Sequence, residues 1–227
     1  MCIRDRDWLN TYTFPTEMRF ADKAHASEVA DVFIKEMLRN GTTTALVFGS
    51  VHKQSVDALF EAAAALNLRM IAGKVLMDRN APEALTDTVE SGYADSRELI
   101  ERWHGKGRLH YAVTPRFAPT STPEQLAMAG RLLGEYPDLY LHTPLSENRQ
   151  EIEWVKALFP ENSGYLDVYD KHQLTGPRSV FAHSVHLCDA ECQRLAETGS
   201  AVAFCPTSNL FLGSGLFDLK RMEQHKV

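Results

Sequence analysis

Short apolar runs alternate along this chain with longer stretches whose apolar residues recur every three or four positions. The apolar runs predict strands at 42–48, 69–77, 109–113, 139–141, 179–183 and 201–204. Each run is followed by a segment with helical periodicity or with a helix-start signal. Six repeats of strand and helix predict a parallel sheet covered by helices. A closed barrel of this type has eight such units, so we expect either an open sheet or an incomplete barrel.

Local signals define several of these elements more closely. The segment 24–40 predicts an amphipathic helix whose apolar side carries Val29, Val32, Phe33 and Met37. The strand that follows it, 42–48, is rich in β-branched and apolar residues and is expected to be buried. Thr122, followed by proline and then by a glutamine three residues on, predicts a helix that begins at 123.

Composition limits the classes of function and partner. The chain has 227 residues, of which 44% are hydrophobic, and this is enough to bury the core of one domain. We therefore expect residues 1–227 to form one partial barrel domain without a separate second domain. The net charge of −6 disfavours nucleic-acid and membrane partners, since phosphate surfaces select basic proteins. The apolar runs are too short to span a bilayer, and the first residues carry no secretory signal pattern.

Cysteine usage indicates the compartment. The chain contains four cysteines, Cys2, Cys188, Cys192 and Cys205, and their spacing follows no disulfide framework. A reducing cytoplasm is the simplest explanation, and buried structural thiols are the expected role.

Titratable side chains stand at the ends of two consecutive apolar runs. The run 139–141 leads into His142 and Glu147, and the run 179–182 ends in His183. The carboxyl ends of parallel strands meet at one edge of the sheet, and α/β barrels keep their chemistry there. The sequence therefore predicts a functional site at this edge.

Several longer motifs carry a family resemblance. They are Trp8–Asn10 with Thr13–Glu17, Asn40–Thr44, Thr114–Phe117, Ser146–Asn148, Phe181–His183 and Phe204–Leu210. In this order they resemble the guanine deaminases of the amidohydrolase superfamily, and the resemblance covers nearly all of 7–227. It implies a (β/α)8 TIM-type barrel that holds Zn²⁺ at its carboxyl face. It also implies hydrolysis of guanine to xanthine and ammonia, and a homodimer when full length.

The resemblance assigns roles to four residues. His183 matches a zinc ligand, and Glu147 matches the residue that moves protons between water and the leaving ammonia. Arg116 and Phe117 match a substrate-binding pair, in which the guanidinium donates to the base and the ring stacks on it. The structural alternatives are a core histidine, an acid in the first turn of a helix, a surface ion pair and a core aromatic residue. His186 is interpreted as a residue that supports the site from behind its ligands or as a structural one, because a three-residue step along a strand turns it to the opposite face from His183.

The sequence also departs from the family pattern. The pair of histidines that ends the family's first strand and the aspartate of its eighth strand have no counterpart, so we expect an internal fragment covering strands two to seven. Pro144 stands where the family's fifth strand carries a histidine ligand. His142, two residues earlier, would face the same side and is the weaker candidate to replace it. The alternatives to a guanine deaminase are an amidohydrolase acting on another aminated heterocycle, and a truncated chain without activity.

Overall fold

A computed structural model describes residues 8–227, and the prediction for Cys2 lies outside this range. Seven strands form the sheet: β1 (Thr44–Phe48), β2 (Arg69–Gly73), β3 (Val75–Leu76), β4 (Leu109–Pro115), β5 (Tyr140–Leu145), β6 (Ser179–His183) and β7 (Ala201–Ala203). Their order is β1-β2-β4-β5-β6-β7, with β3 beside β4, and every pairing is parallel. The strands β2 and β3 continue one another on either side of Lys74. The fold is thus an incomplete (β/α)8 TIM-type barrel with about six parallel βα units, as predicted.

Ten α-helices occur in the described residues. They are α1 (Phe14–Glu17), α2 (Lys23–Arg39), α3 (Lys53–Ala65), α4 (Val89–Trp103), α5 (Pro123–Glu135), α6 (Arg149–Leu158), α7 (Tyr165–Lys171), α8 (Asp189–Thr198), α9 (Pro206–Leu212) and α10 (Leu219–His225). A π-turn at Leu9–Thr13 precedes α1, and 3-10 turns occupy Met18–Ala21, Glu83–Leu85 and Ala118–Thr120. The predicted Thr122 cap is confirmed, because its Oγ1 accepts from the Gln125 backbone N–H.

The open edges of the sheet change two of the expected burial patterns. Strand β1 is only partly buried, because among the described residues it pairs with β2 alone. On the neighbouring α2, the small residues Ala26 and Ala30 together with Ile34 are buried, whereas Val32 is 62% exposed. The prediction that β1 is a buried strand is therefore wrong. On α2, Val29, Val32 and Phe33 are exposed, whereas Met37 is partly buried against the core.

The three described cysteines are free thiols but differ in burial. Cys192 is buried, as predicted, whereas Cys205 is half-buried and Cys188 is exposed, so the prediction of a buried structural thiol is wrong for Cys188. Within residues 8–227, no helix combines the length and the apolar character that crossing a bilayer would require. The main core lies between the sheet and its helices and includes Phe60, Tyr111 and Phe181, each fully buried.

Candidate active site

A cavity of about 880 Å³ opens at the carboxyl ends of the strands. Arg116 and Phe117 reach it from the end of β4, Glu147 from the loop after β5, and His183 from the last position of β6. All four predicted residues line this one cavity, which confirms that they converge on a single concave face. Parallel pairing explains the convergence, since it brings every strand's carboxyl end to the same edge. The chemical roles assigned to the four residues stay predictions.

His183 is held in one orientation by an amide. Its Nδ1 lies 2.8 Å from Oδ1 of Asn209, which is buried on α9. An amide oxygen can only accept, so Nδ1 carries the proton in this contact. The other ring nitrogen, Nε2, lies 3.3 Å from Oε2 of Glu147. With its Nδ1 proton held by Asn209, the imidazole directs the Nε2 lone pair toward an acidic oxygen, so this point of the cavity is suited to a cation.

The backbone at the ends of β5 and β6 is strained. His183, Ser184 and Ser146 have φ angles of 67°, 50° and 48°, in the left-handed region that favours glycine. Such residues cost on the order of 1–3 kcal/mol each and persist where surrounding contacts fix them. Here the Ser184 N–H donates to the Leu145 carbonyl at 2.8 Å, and the His186 N–H donates to the Ser146 carbonyl at 3.1 Å.

This turn places His186 on the same cavity as His183. The expectation that the two histidines face opposite sides is wrong, because β6 ends at His183 and the chain turns there. His186 Nε2 lies 2.8 Å from the carbonyl oxygen of Ser214. That contact fits a supporting role for the imidazole.

Glu147 lies in the loop between β5 and α6, and its carboxylate contacts Ser214 and His183. The helix after β5 begins at Arg149, with the side chain of Asn148 as its cap. Glu147 therefore precedes the cap, and its structural alternative as a first-turn helix acid is wrong. Ser214 donates from Oγ to Oε1 of Glu147 at 3.1 Å, while Oε2 faces His183. Both carboxylate oxygens thus have a defined environment.

The side chain of Arg116 is largely buried beside Glu17, Phe14 and Phe48. Its Nη1 donates to Oε1 of Glu17 at 2.5 Å, and the two side chains are 12% and 16% exposed. The guanidinium carbon lies 5.8 Å from the ring centre of Phe14 and 5.9 Å from that of Phe48. The burial rules out the alternative of an exposed surface ion pair for Arg116. Glu17 belongs to the Thr13–Glu17 motif, but no local pattern pairs it with Arg116, which lies 99 positions further along the chain.

Phe117 contributes an aromatic wall to the cavity. Its ring stands edge-on to Trp154 on α6, with the ring centres 5.9 Å apart. Both residues line the cavity. A flat aromatic ligand can therefore contact a ring face or edge here while its polar atoms reach Arg116.

Pro144 lies at the position where a histidine ligand was expected. It lines the cavity but offers no side-chain donor atom. His142, two residues earlier on β5, is buried, packs edge-on against Phe48 at 4.8 Å between ring centres, and has an Nδ1 without a hydrogen-bond partner. Burial, together with the nearby His183, lowers the pKa of His142 to about 4, so its imidazole is neutral at pH 7.

The side chains that line the cavity provide only part of a metal site. A catalytic zinc requires three protein ligands and one open position. Within residues 8–227, no group of three or more histidine, cysteine or acidic side chains is arranged to hold a metal ion. His183 Nε2 fits one ligand, but the described residues do not by themselves fit a complete zinc site.

Comparison with known proteins agrees with the fold and the motifs. The Amidohydrolase family matches residues 3–227. A guanine deaminase of Escherichia coli (strain K12) is 66% identical over 97% of this chain and 50% of its own length. A guanine deaminase of Mus musculus is 39% identical over 97% of this chain and 49% of its own length. The chain therefore spans about half the length of the curated relatives it matches.

Solved structures give the same result. The E. coli guanine deaminase structure superimposes with a TM-score of 0.98 at 65% identity, over 99% of this chain and 52% of that one. A guanine deaminase from C. acetobutylicum with bound guanine in its active site gives a TM-score of 0.94 at 33% identity, over 97% of this chain and 53% of that one. The resemblance to guanine deaminases is thus confirmed, and the match along 3–227 establishes that this chain belongs to the amidohydrolase family.

Proposed function

We propose that the full-length protein hydrolyses guanine to xanthine and ammonia in the cavity described above. The observation that carries the proposal is the convergence of Arg116, Phe117, Glu147 and His183 on one cavity. It is supported by the guanine bound in the active site of the C. acetobutylicum relative and by the name of the E. coli relative.

Guanine would lie between the aromatic wall and the arginine. Phe117 stacks on the planar base, and the Arg116 guanidinium donates to the purine carbonyl or to a ring nitrogen. Because Glu17 takes one of the five guanidinium N–H groups, others remain for the ligand. Binding in this way holds the carbon that bears the exocyclic amine within reach of Glu147.

Glu147 would move the protons. The oxygen of a water molecule forms a bond to the purine carbon that bears the amine, while the Glu147 carboxylate takes one of the water's protons. The carboxyl group then gives this proton to the exocyclic nitrogen, the carbon–nitrogen bond breaks, and ammonia leaves. The ring nitrogen next to this carbon takes up the electron pair of their double bond when water adds, and the double bond re-forms when ammonia leaves. The remaining hydroxyl proton then moves to that ring nitrogen, which gives the carbonyl of xanthine. Ser214 keeps Glu147 in position during both transfers.

We propose zinc as the cofactor, with His183 as one of its ligands. Zinc held there would lower the pKa of a bound water to roughly 7 and would so make it a nucleophile at neutral pH. The rest of a full-length protein would supply the further ligands that residues 8–227 lack. The 227-residue chain alone is therefore expected to be inactive, and Pro144 is expected to weaken zinc binding even at full length.

Two competing functions follow from the same residues. Another amidohydrolase would deaminate a different aminated heterocycle, and an inert chain would bind no metal; Pro144 favours the second of these. Ammonia release by the full-length protein, with Pro144→His beside it, should be measured with guanine, adenine and cytosine, together with zinc per chain. We expect release from guanine alone, scaling with zinc. Ammonia release from adenine or cytosine would support an amidohydrolase acting on another heterocycle. Absence of both zinc and ammonia release, in the full-length protein and in its Pro144→His variant, would support the inert chain.

We also propose a homodimer and a cytoplasmic location. The family resemblance implies the homodimer, and the free thiols support a reducing compartment. The acidic net charge supports a small-molecule substrate rather than nucleic acid or a membrane as partner. We also propose that residues 1–227 belong to one barrel domain.

A further inference from the structure

The Arg116–Glu17 ion pair adds a determinant of ligand charge to the cavity. Glu17 comes from α1 at the open edge of the sheet, whereas Arg116 follows β4, near the middle of it. Both side chains line the cavity and both are more than four-fifths buried. The Phe14 and Phe48 rings lie beside the guanidinium, so bulk water screens its charge poorly.

A buried guanidinium without a counter-ion would attract anions strongly. Glu17 is the carboxylate that pairs with Arg116 in the described residues, and its second oxygen, Oε2, is buried without a hydrogen-bond partner. The negative charge of Glu17 is therefore directed to Arg116 rather than shared with other donors. The pair presents N–H donors to the cavity while carrying no net charge.

The other charged residues around the cavity do not alter the neutral total charge of the Arg116–Glu17 pair. Arg149 lines the cavity too, but it is exposed, and water screens its charge. Glu147 faces His183 at the other side of the site. Glu151, which is buried on α6 and also lines the cavity, interacts with the buried Tyr165. It is unchanged in every Glu17 variant, so a change in the preferred ligand charge on replacing Glu17 reports on the Glu17–Arg116 pair.

We propose that Glu17 is a specificity-determining residue, whose carboxylate offsets the charge of Arg116 so that the cavity selects neutral purine bases over purine anions. The proposal rests on the proposed function only in taking a purine base as the ligand. It distinguishes a purine substrate that is neutral at physiological pH from a product such as xanthine, which ionises more readily. Glu17 thereby favours release of the ionised product.

The test measures binding rather than turnover, so it does not depend on the activity of the protein. The full-length protein is titrated by equilibrium dialysis with hypoxanthine, a neutral base without an exocyclic amine to lose. It is also titrated with xanthine at one pH below and one pH above the first ionisation of xanthine. The variants are Glu17→Gln, which keeps the shape and the acceptor oxygen, and Glu17→Asp, which keeps the charge.

A matched control removes the same charge elsewhere. Glu61 pairs with Lys23 on the surface at 2.8 Å, with the two side chains 49% and 48% exposed, and it lies outside the cavity lining. Glu61→Gln should leave binding of all three ligand forms unchanged, because exposed pairs have weak fields.

We expect Glu17→Gln to raise the affinity for the xanthine anion about tenfold relative to hypoxanthine, a change in binding free energy of about 1.4 kcal/mol. Glu17→Asp should weaken all forms alike and keep the preference for neutral bases. Equal changes for all three forms in Glu17→Gln would mean that Glu17 only shapes the site, and no change would mean that it plays no part; either result overturns the proposal. Failure of the full-length protein to deaminate guanine would instead contradict the proposed function alone.

Discussion

The buried ion pair between Lys74 and Asp87 gives a quantitative prediction about the fold. Lys74 separates β2 from β3, its side chain is fully buried, and its Nζ donates to Oδ2 of Asp87 at 2.5 Å. Asp87 lies just before the Thr88 cap of α4 and is 10% exposed. Burial lowers the pKa of Lys74 and raises that of Asp87, so desolvation opposes both charges and each depends on the other.

Removing one partner should therefore be far more damaging than removing both. Lys74→Met leaves a buried carboxylate without a counter-charge, and we expect the free energy of unfolding to fall by about 3–5 kcal/mol. Replacing the pair with Lys74→Met and Asp87→Leu removes both desolvation penalties, and similar apolar replacements are often neutral or stabilising. We expect the double variant to recover most of the lost stability.

Urea denaturation of the wild type, the single variants and the double variant measures these differences. The control is Lys23→Met, which breaks the half-exposed pair with Glu61, and which should change stability by no more than about 1 kcal/mol. The reasoning is refuted if Lys74→Met is no worse than Lys23→Met, or if the double variant is as unstable as Lys74→Met alone.

Three further predictions concern the site and the sheet. Pro144→His in the full-length protein should raise zinc content measured by atomic absorption; an unchanged content would mean that this position is not a ligand and would leave His142 as the candidate. Ser214→Ala should lower kcat for guanine about tenfold with little change in KM, because Glu147 loses the hydrogen bond that orients it, and an unchanged kcat would contradict that role. Gly73→Ala would place its Cβ 1.8 Å from the Ala112 carbonyl oxygen, so we expect a loss of about 1–3 kcal/mol in urea denaturation, and a neutral effect would contradict this packing.

The order of strands and helices along the chain could be predicted, because each of these elements has its own local sequence pattern. The run before His183 and the cap at Thr122 are examples, since burial and capping act over a few residues. The exposure of β1 could not be predicted in this way. Its composition is that of a buried strand, and only the absence of a second neighbour among the described strands leaves it partly exposed.

The site was predictable only to the extent that its residues lie at strand ends. Arg116, Glu147 and His183 follow apolar runs, and the parallel sheet brings them together. Glu17 and Ser214 come from segments far away in sequence, and only the tertiary packing pairs them with Arg116 and Glu147. No local pattern in a single sequence encodes such contacts.

The left-handed turn at His183 could not be predicted from the sequence either. Neither His183 nor Ser184 is a glycine, so nothing in their residue types predicts positive φ angles. The contacts that hold the turn come from the loop after β5 and from Leu145. This turn is the reason that His186 lies on the cavity and not on the opposite face of the sheet.

If Glu147 moves protons in the hydrolysis of guanine, removing its carboxylate must slow the release of ammonia. The full-length protein with Pro144→His should be compared with the same protein that also carries Glu147→Gln, at equal zinc content. We expect ammonia and xanthine in equal amounts from the first, and a rate about 10²–10⁴ times lower in the second. Equal rates in the two proteins, or no ammonia from guanine in the zinc-loaded first protein, would contradict this mechanism.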